Sequence, residues 1–160
     1  MADVVDKVTR SRMMSGIRGK NTKPEKILRT ALHAMGMRYR VHDSRLPSKP
    51  DLVFPKYKAA VLVHGCFWHC HPDCWWSTFP ADNSEFWRNK LNKNVVRDKR
   101  DYDELRKLGW RVAVVWECSF KLPGKDGIPS MIKEWLLSDD QALDLPLHIR
   151  RRIDLTSQQQ

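Results

Sequence analysis

Between residues 64 and 74 the chain sets three histidines and three cysteines, His64, Cys66, His69, Cys70, His71 and Cys74, and a fourth cysteine follows at Cys118. Thiolates and imidazoles in such density are the ligand chemistry of Zn²⁺, which takes four of them in a tetrahedron. Cys66, His71 and Cys74 are close enough to act from one loop. Cys118 stands just past an apolar run at 111–117 that reads as a central strand, at the sheet end where such a loop could meet it. A Cys₃His set would tie the loop to the sheet. Four protein ligands leave no open position, so zinc there is structural rather than catalytic. Spacing alone leaves open which of His69 and Cys70 stands outside the shell, and the bland reading is a chance cluster of small buried residues.

A second set of residues suits phosphoryl chemistry. Pro50-Asp51 opens one strand-like run, and His64 ends the next. An Asp carboxylate is a hard oxygen ligand for Mg²⁺, which can hold a scissile phosphate and offset charge on the leaving oxygen. An imidazole titrates near neutrality and can move a proton. His69 is divided between zinc ligation and catalysis. Asp98 could orient an imidazole or be a solvated helix charge, Asp51 could be a turn residue, and Glu25 could be catalytic or the second half of a helix cap.

Aromatic residues are interleaved with these groups: Phe67-Trp68 within the Cys/His run, then Trp75-Trp76 and Trp87, among seven tryptophans in all. Apolar side chains at the tip of a metal-fixed loop can enter between base pairs, at an unstacking cost of about a few kcal/mol per step. A mismatched step opens more cheaply, so a wedge favours mismatches. The alternative is that the aromatics cover the zinc site or fill the core, which is the preferred reading for Trp116 and Trp135.

Elements must position these groups. Residues 1–21 read as a polar, basic arm with one short helix near 10–17. Thr22-Lys23-Pro24-Glu25 resembles a capping box, and Ile27, Leu28, Ala31, Leu32 and Met35 follow at helical spacing up to Gly36. Extended segments are expected at 37–41, 51–54 and 59–63, with a turn at 55–58 joining the last two. Residues 64–80 are irregular. Asn83-Ser84 can cap a long helix to Leu108, ended by Gly109, with Trp87, Leu91, Val95, Tyr102 and Leu105 inward and a basic outer face. A buried strand at 111–117 and a helix around 131–136 complete the order, and the tail from 139 is expected to be loosely held. This predicts a mixed α/β sheet flanked by helices, in which the strand after the long helix lies parallel to an earlier one through a right-handed crossover.

The 160 residues suffice for one cored domain. No run of 18 apolar residues offers a membrane span, and the first residues lack the features of a signal peptide, so a cytosolic address is expected and disulfides are not. Lys and Arg number 29 against 19 Asp and Glu, for a net charge of +10, and residues 7–29 hold eight basic residues and one acid. Such an arm suits a nucleic-acid partner, where the bland reading is a solvated tail.

The run His64-Gly65-Cys66-Phe67-Trp68-His69 resembles the signature of the very-short-patch repair (Vsr) endonucleases. The resemblance covers roughly residues 3–120. It includes Asp6-Lys7, Thr9-Arg10-Ser11, Leu46-Pro47 before Pro50-Asp51, Glu85-Phe86-Trp87, Lys93-Asn94-Val95 and Arg97-Asp98. Leu108-Gly109-Trp110-Arg111-Val112 and Val115-Trp116-Glu117-Cys118 close it. It implies a restriction-endonuclease-like core that nicks one strand of double-stranded DNA 5′ to the T of a T:G mismatch, the product of 5-methylcytosine deamination. By position it implies that Asp51 and the backbone carbonyl of Val63 hold Mg²⁺, with Glu25 beside the bound waters. His64 and His69 would be catalytic, with Asp98 supporting His69. Cys66, His71, Cys74 and Cys118 would hold Zn²⁺, and Phe67, Trp68 and Trp87 would form the wedge. The arm (1–21) would grip DNA from the other groove, ahead of the zinc-containing endonuclease domain (22–138) and a C-terminal tail (139–160). General mismatch-repair proteins would be partners of a monomer acting at the bacterial nucleoid. Val63 replaces a Thr common in the family, which a main-chain ligand tolerates. Cys70 is an extra thiol near the zinc. Leu62 and His64 stand where typical restriction-type nucleases carry an acid and a Lys. The rivals are a restriction-type nuclease that cuts both strands of paired DNA, and a zinc-stabilised DNA-binding module without catalysis.

Overall fold

The computed structural model describes residues 6–16 and 19–147. The arm contributes α1 (Lys7–Ser15), capped by Asp6, whose carboxylate accepts the Thr9 N–H at 2.7 Å. Helix α2 (Lys23–Ala34) starts as its sequence predicts, with Thr22 at the N-cap and Pro24 in the first turn. It closes through Gly36 in the left-handed region (φ 83°), with the Met37 N–H donating to the Leu32 carbonyl at 3.0 Å. The long helix α3 (Ser84–Lys107) ends the same way, with Gly109 at φ 82° and the Trp110 N–H on the Leu105 carbonyl. Asn83 occupies the N-cap of α3, but its side chain makes no capping hydrogen bond.

Four strands form one mixed sheet in the order β1 (Leu52–Phe54), β2 (Ala59–His64), β3 (Arg111–Trp116), β4 (Ala142–Leu145). β1 and β2 are an antiparallel hairpin around a 3₁₀ turn at Pro55–Tyr57, and β3 pairs parallel to β2 after the α3 crossover. The expected parallel pairing is therefore present.

Alternation along the strands divides the core into two layers. Ala59, Val61, Ala113 and Val115 face α2 and α4 (Ile128–Leu137), packing on Leu28, Leu32, Ile132 and Leu136. Leu62, Val112, Val114 and Trp116 face Leu105 of α3 and the buried cysteines. Trp116 and Trp135 are both core residues. At about 25 cal/mol per Å² of apolar area, these layers supply the main drive to fold.

Three expectations are corrected. The segment 37–41 is no strand: it makes one antiparallel bridge, Arg40 with Val53, before the left-handed residues His42, Ser48 and Lys49 turn the chain away. Val95 is exposed, because the buried face of α3 runs through Leu91, Asp98, Asp101 and Leu105. The segment expected to be loose from 139 supplies β4, parallel to β3, with Leu145 buried and the Trp116 indole N–H donating to Asp144 at 2.8 Å. Arg111 secures this end of the fold. Its guanidinium donates to the carbonyls of Trp135, Leu136 and Ser138, closing the C-terminus of α4, and lies 4.9 Å over the Trp135 ring. The remainder of the tail, 148–160, lies outside the described residues. Among the described residues, no helix is long and apolar enough to cross a membrane.

Candidate active site

β2 ends in His64, and the loop that follows folds back on itself. The His69 N–H donates to the Gly65 carbonyl (3.1 Å), and the His71 N–H to the Cys66 carbonyl (3.0 Å). Gly65 lets the Trp68 ring lie close: a Cβ there would meet Trp68 Cδ1 at 3.3 Å. The Asn94 amide of α3 donates to the Trp68 carbonyl at 3.0 Å, tying the loop to the helix.

This folding separates the loop's polar side chains into two groups. Cys66, His71, Cys74 and Cys118 converge, all buried, with one donor atom from each within 4.8 Å of the others. His71 Nδ1 lies 3.4 Å from Cys118 Sγ and 3.6 Å from Cys66 Sγ, and its ring stacks on Trp116 at 4.0 Å. A hydrogen bond from Cys118 pushes the Cys66 thiol down, while burial pushes Cys74 up. Three sulfurs and an imidazole packed in one buried place are a donor set that fits a tetrahedral Zn²⁺. Cys70 and His69 both stand outside this group, which resolves the choice that spacing left open. Cys70 adopts φ 50° and is half-buried.

His69 instead joins His64 and Asp98. The His64 and His69 rings stack at 3.8 Å with 10° between their planes. Behind His69, Nδ1 lies 2.5 Å from Asp98 Oδ2. Burial pushes the Asp98 carboxyl up, but the His69 hydrogen bond, helped by the Arg97 charge, outweighs it and holds the carboxyl below its ordinary value. Asp98 is thus an acceptor for a proton on His69 Nδ1, and the tautomer with that single proton would leave a lone pair on Nε2. His64 is arranged oppositely. The Tyr102 hydroxyl, pushed up by burial and so protonated, lies 2.9 Å from His64 Nδ1 and 3.5 Å from Nε2. Burial pushes His64 down to about 3, so it is neutral, and the tautomer in which Nδ1 accepts from Tyr102 would carry its single proton on Nε2. One imidazole can take a proton while its neighbour can donate a hydrogen bond.

A third group, Glu25, His42 and Asp51, lies beyond Val63. Asp51 Oδ2 accepts the Val63 N–H at 2.7 Å. Burial, and the nearby Glu25 carboxylate, push Asp51 up to about 6 against the pull of that hydrogen bond. Glu25 serves both readings at once. Its backbone N–H donates to the Thr22 hydroxyl, as a cap requires, and its Oε1 accepts that hydroxyl's proton at 3.1 Å, while Oε2 accepts from the Asn21 N–H and Arg29, each at 2.8 Å, and faces His42 and Asp51. A buried and a half-buried carboxylate at close quarters fit a divalent cation.

Glu25, His64 and His69 open on a cleft of about 520 Å³, lined also by Val63 and Trp68, with Met14 and Gly19 of the arm at its edge. Beside it Phe67, Trp68 and Trp87 form one aromatic cluster, with ring centroids 5.1–6.1 Å apart. Lys90 Nζ lies 5.4 Å from the Trp87 ring and 5.6 Å from Trp68. Trp75 and Trp76 are exposed away from the core. Sequence reasoning missed His42, Tyr102, Arg29 and Asn94. The helical offsets Asp98–Tyr102 and Glu25–Arg29 could have pointed to two of them; nothing local marks His42.

The family model described as DNA mismatch endonuclease Vsr matches residues 2–75. The chain is 42% identical over 142 residues to DNA mismatch endonuclease Vsr of Escherichia coli (strain K12), covering 87% of this chain and 90% of that protein. The chain belongs to the DNA mismatch endonuclease Vsr family. It is thereby a DNA endonuclease, a hydrolase of phosphodiester bonds. Type II nicking enzyme V.NmeAIP of Neisseria meningitidis is 45% identical over 121 residues, 76% of this chain and 86% of that one. V.XorIIP of Xanthomonas oryzae pv. oryzae, also described as a type II nicking enzyme, is 43% identical over 118 residues, 74% and 86% of the two chains.

Proposed function

We propose that this Vsr-family chain nicks one strand of duplex DNA 5′ to the T of a T:G mismatch, starting repair of deaminated 5-methylcytosine. The observation that carries the chemistry is the stacked pair His64 and His69, with opposite hydrogen-bond partners behind them, facing one cleft with Glu25. His69 Nε2, oriented by Asp98, takes the proton of the attacking water. His64 Nε2–H holds a phosphate oxygen. Asp51, the Val63 carbonyl and Glu25 would hold Mg²⁺, which would offset the negative charge that builds on the phosphate as its bond to the leaving 3′ oxygen breaks. Cys66, His71, Cys74 and Cys118 hold a structural Zn²⁺ that fixes the loop.

Phe67, Trp68 and Trp87 enter beside the mismatch, and the names of the E. coli and N. meningitidis relatives, a mismatch endonuclease and a nicking enzyme, support that choice of substrate and of single-strand scission. The exposed basic side chains of α3, among them Lys93, Arg97 and Arg100, and the arm over 1–21 neutralise DNA phosphates. The core is restriction-endonuclease-like and extends past 138 to include β4. The chain works as a monomer on cytoplasmic DNA, alongside general mismatch-repair proteins.

Asp51→Asn tests the catalytic reading. Mg²⁺-dependent nicking of T:G duplexes should fall to background while the affinity for the same duplex stays within a few-fold. Nicking by this variant at the parent rate would exclude Asp51 from the reaction.

A further inference from the structure

His42 stands on a loop beside Glu25 and Asp51, with its backbone in the left-handed region (φ 46°) that residues other than glycine rarely adopt. Its Nε2 lies 3.2 Å from Glu25 Oε2, 3.5 Å from Asp51 Oδ1 and 3.2 Å from an Arg29 guanidinium nitrogen. Glu25 Oε2 is shared, since Arg29 also donates to it at 2.8 Å. One imidazole nitrogen and two carboxylates, brought together from α2, a loop and the start of β1, are a mixed nitrogen–oxygen donor set. A cation between them would take the lone pairs of His42, Glu25 and Asp51 together. The three ligand atoms already lie within 4.8 Å of one another.

We propose that His42 is a third protein ligand of the divalent cation held by Asp51 and Glu25, and that it inclines this site toward Mn²⁺ and similar transition metals over Mg²⁺. The inference rests on the reading of Asp51 and Glu25 as a cation site. Mg²⁺ binds oxygen and gains little from an imidazole, whereas first-row transition ions gain from nitrogen. A site of carboxylates, carbonyl and water alone would not make this distinction.

The test uses the full chain with its Cys₃His site saturated with Zn²⁺, so that added Mn²⁺ has only the cleft to enter. Free Mn²⁺ is followed by its electron paramagnetic resonance signal in competition with Mg²⁺, and pulsed measurements on the bound ion read the ¹⁴N coupling of a ligated imidazole. In the parent chain Mn²⁺ should bind with ¹⁴N coupling, and more tightly than Mg²⁺. His42→Gln should lose the coupling and weaken Mn²⁺ binding by at least the roughly 10–100-fold that losing even a hydrogen-bonding partner of a ligand costs. Mg²⁺ affinity should fall less. If His42→Gln keeps both coupling and affinity while Asp51→Asn loses binding, the cation site stands and His42 is no ligand. If the parent chain binds no Mn²⁺ that Mg²⁺ displaces, the cation reading and this inference fail together. Should His42→Gln not fold, as judged by circular dichroism and zinc content, the double variant His64→Gln/His69→Gln decides: ¹⁴N coupling must persist in it, and its loss overturns the proposal.

Discussion

His64 and His69 touch face to face, yet the residues behind them divide their roles. The Asp98 carboxylate stands behind His69 Nδ1, and the Tyr102 hydroxyl behind His64 Nδ1. The His64 arrangement has a consequence for stability. Its value in the fold, about 3, lies below the ordinary 6.5, chiefly because the ring is buried. Below pH 6.5 the unfolded chain takes up a proton that the folded chain refuses, so stability falls as pH drops from about 6.5 toward 3. Asp51 has the opposite sign: raised to about 6, it makes the folded state bind more protons than the unfolded one between about pH 4 and 6, so its contribution declines as pH rises through that window. Replacing His64 by Gln should flatten the acid limb of the stability profile, by about a few kcal/mol between pH 6.5 and 4, in denaturant melts at stepped pH. An unchanged limb in this variant would mean that His64 is protonated in the folded state.

At the scale of elements, the loop after β2 faces two ways. One side carries Cys66, His71 and Cys74 toward Cys118, which follows β3; the other carries Phe67, Trp68 and His69 toward the cleft and α3. Cys118→Ser should lose stoichiometric zinc and cost several kcal/mol of stability, read by metal analysis and thermal melts; full zinc retention would remove Cys118 from the shell. Trp68→Ala should reduce the preference for T:G over T:A duplexes by about 1–3 kcal/mol, roughly 5–150-fold, with a smaller effect on total DNA affinity. Equal losses on both duplexes would make Trp68 a general contact instead of a wedge.

The elements that hold these residues were legible where periodicity was strong. The β2–α3–β3 unit follows from the apolar runs at 59–63 and 111–117 with a capped helix between, and α2 follows from its capping box. β4 was not: Ala142–Leu145 offers one cycle of alternation, and its identity as a strand comes from the open edge of β3 and from Asp144 meeting the Trp116 indole. The two ligand groups in the loop were visible as residue types. Their separation was implied by the family resemblance and not by spacing, because it depends on hydrogen bonds that turn His69 one way and His71 the other. The approach of His42 to Glu25 and Asp51 depends on a left-handed turn that no local pattern announces.

For the whole molecule, the sheet brings the two His and carboxylate groups to one end. Asp51 precedes β1, His64 closes β2, and the loop and α3 complete the set, while α1 lies at the cleft's edge. The +10 charge of the chain suits its DNA substrate, and under the proposed mechanism the aromatic cluster beside the cleft chooses among duplexes. The most direct test is a nicking assay on duplexes that carry T:G or T:A at one position in varied flanking sequence, with each strand end-labelled in turn and with Mg²⁺ or a chelator. A single Mg²⁺-dependent nick 5′ to the T, on T:G duplexes alone, is the predicted result. Cleavage of both strands of paired T:A duplexes, or binding without any cleavage by the zinc-loaded chain, would contradict the account.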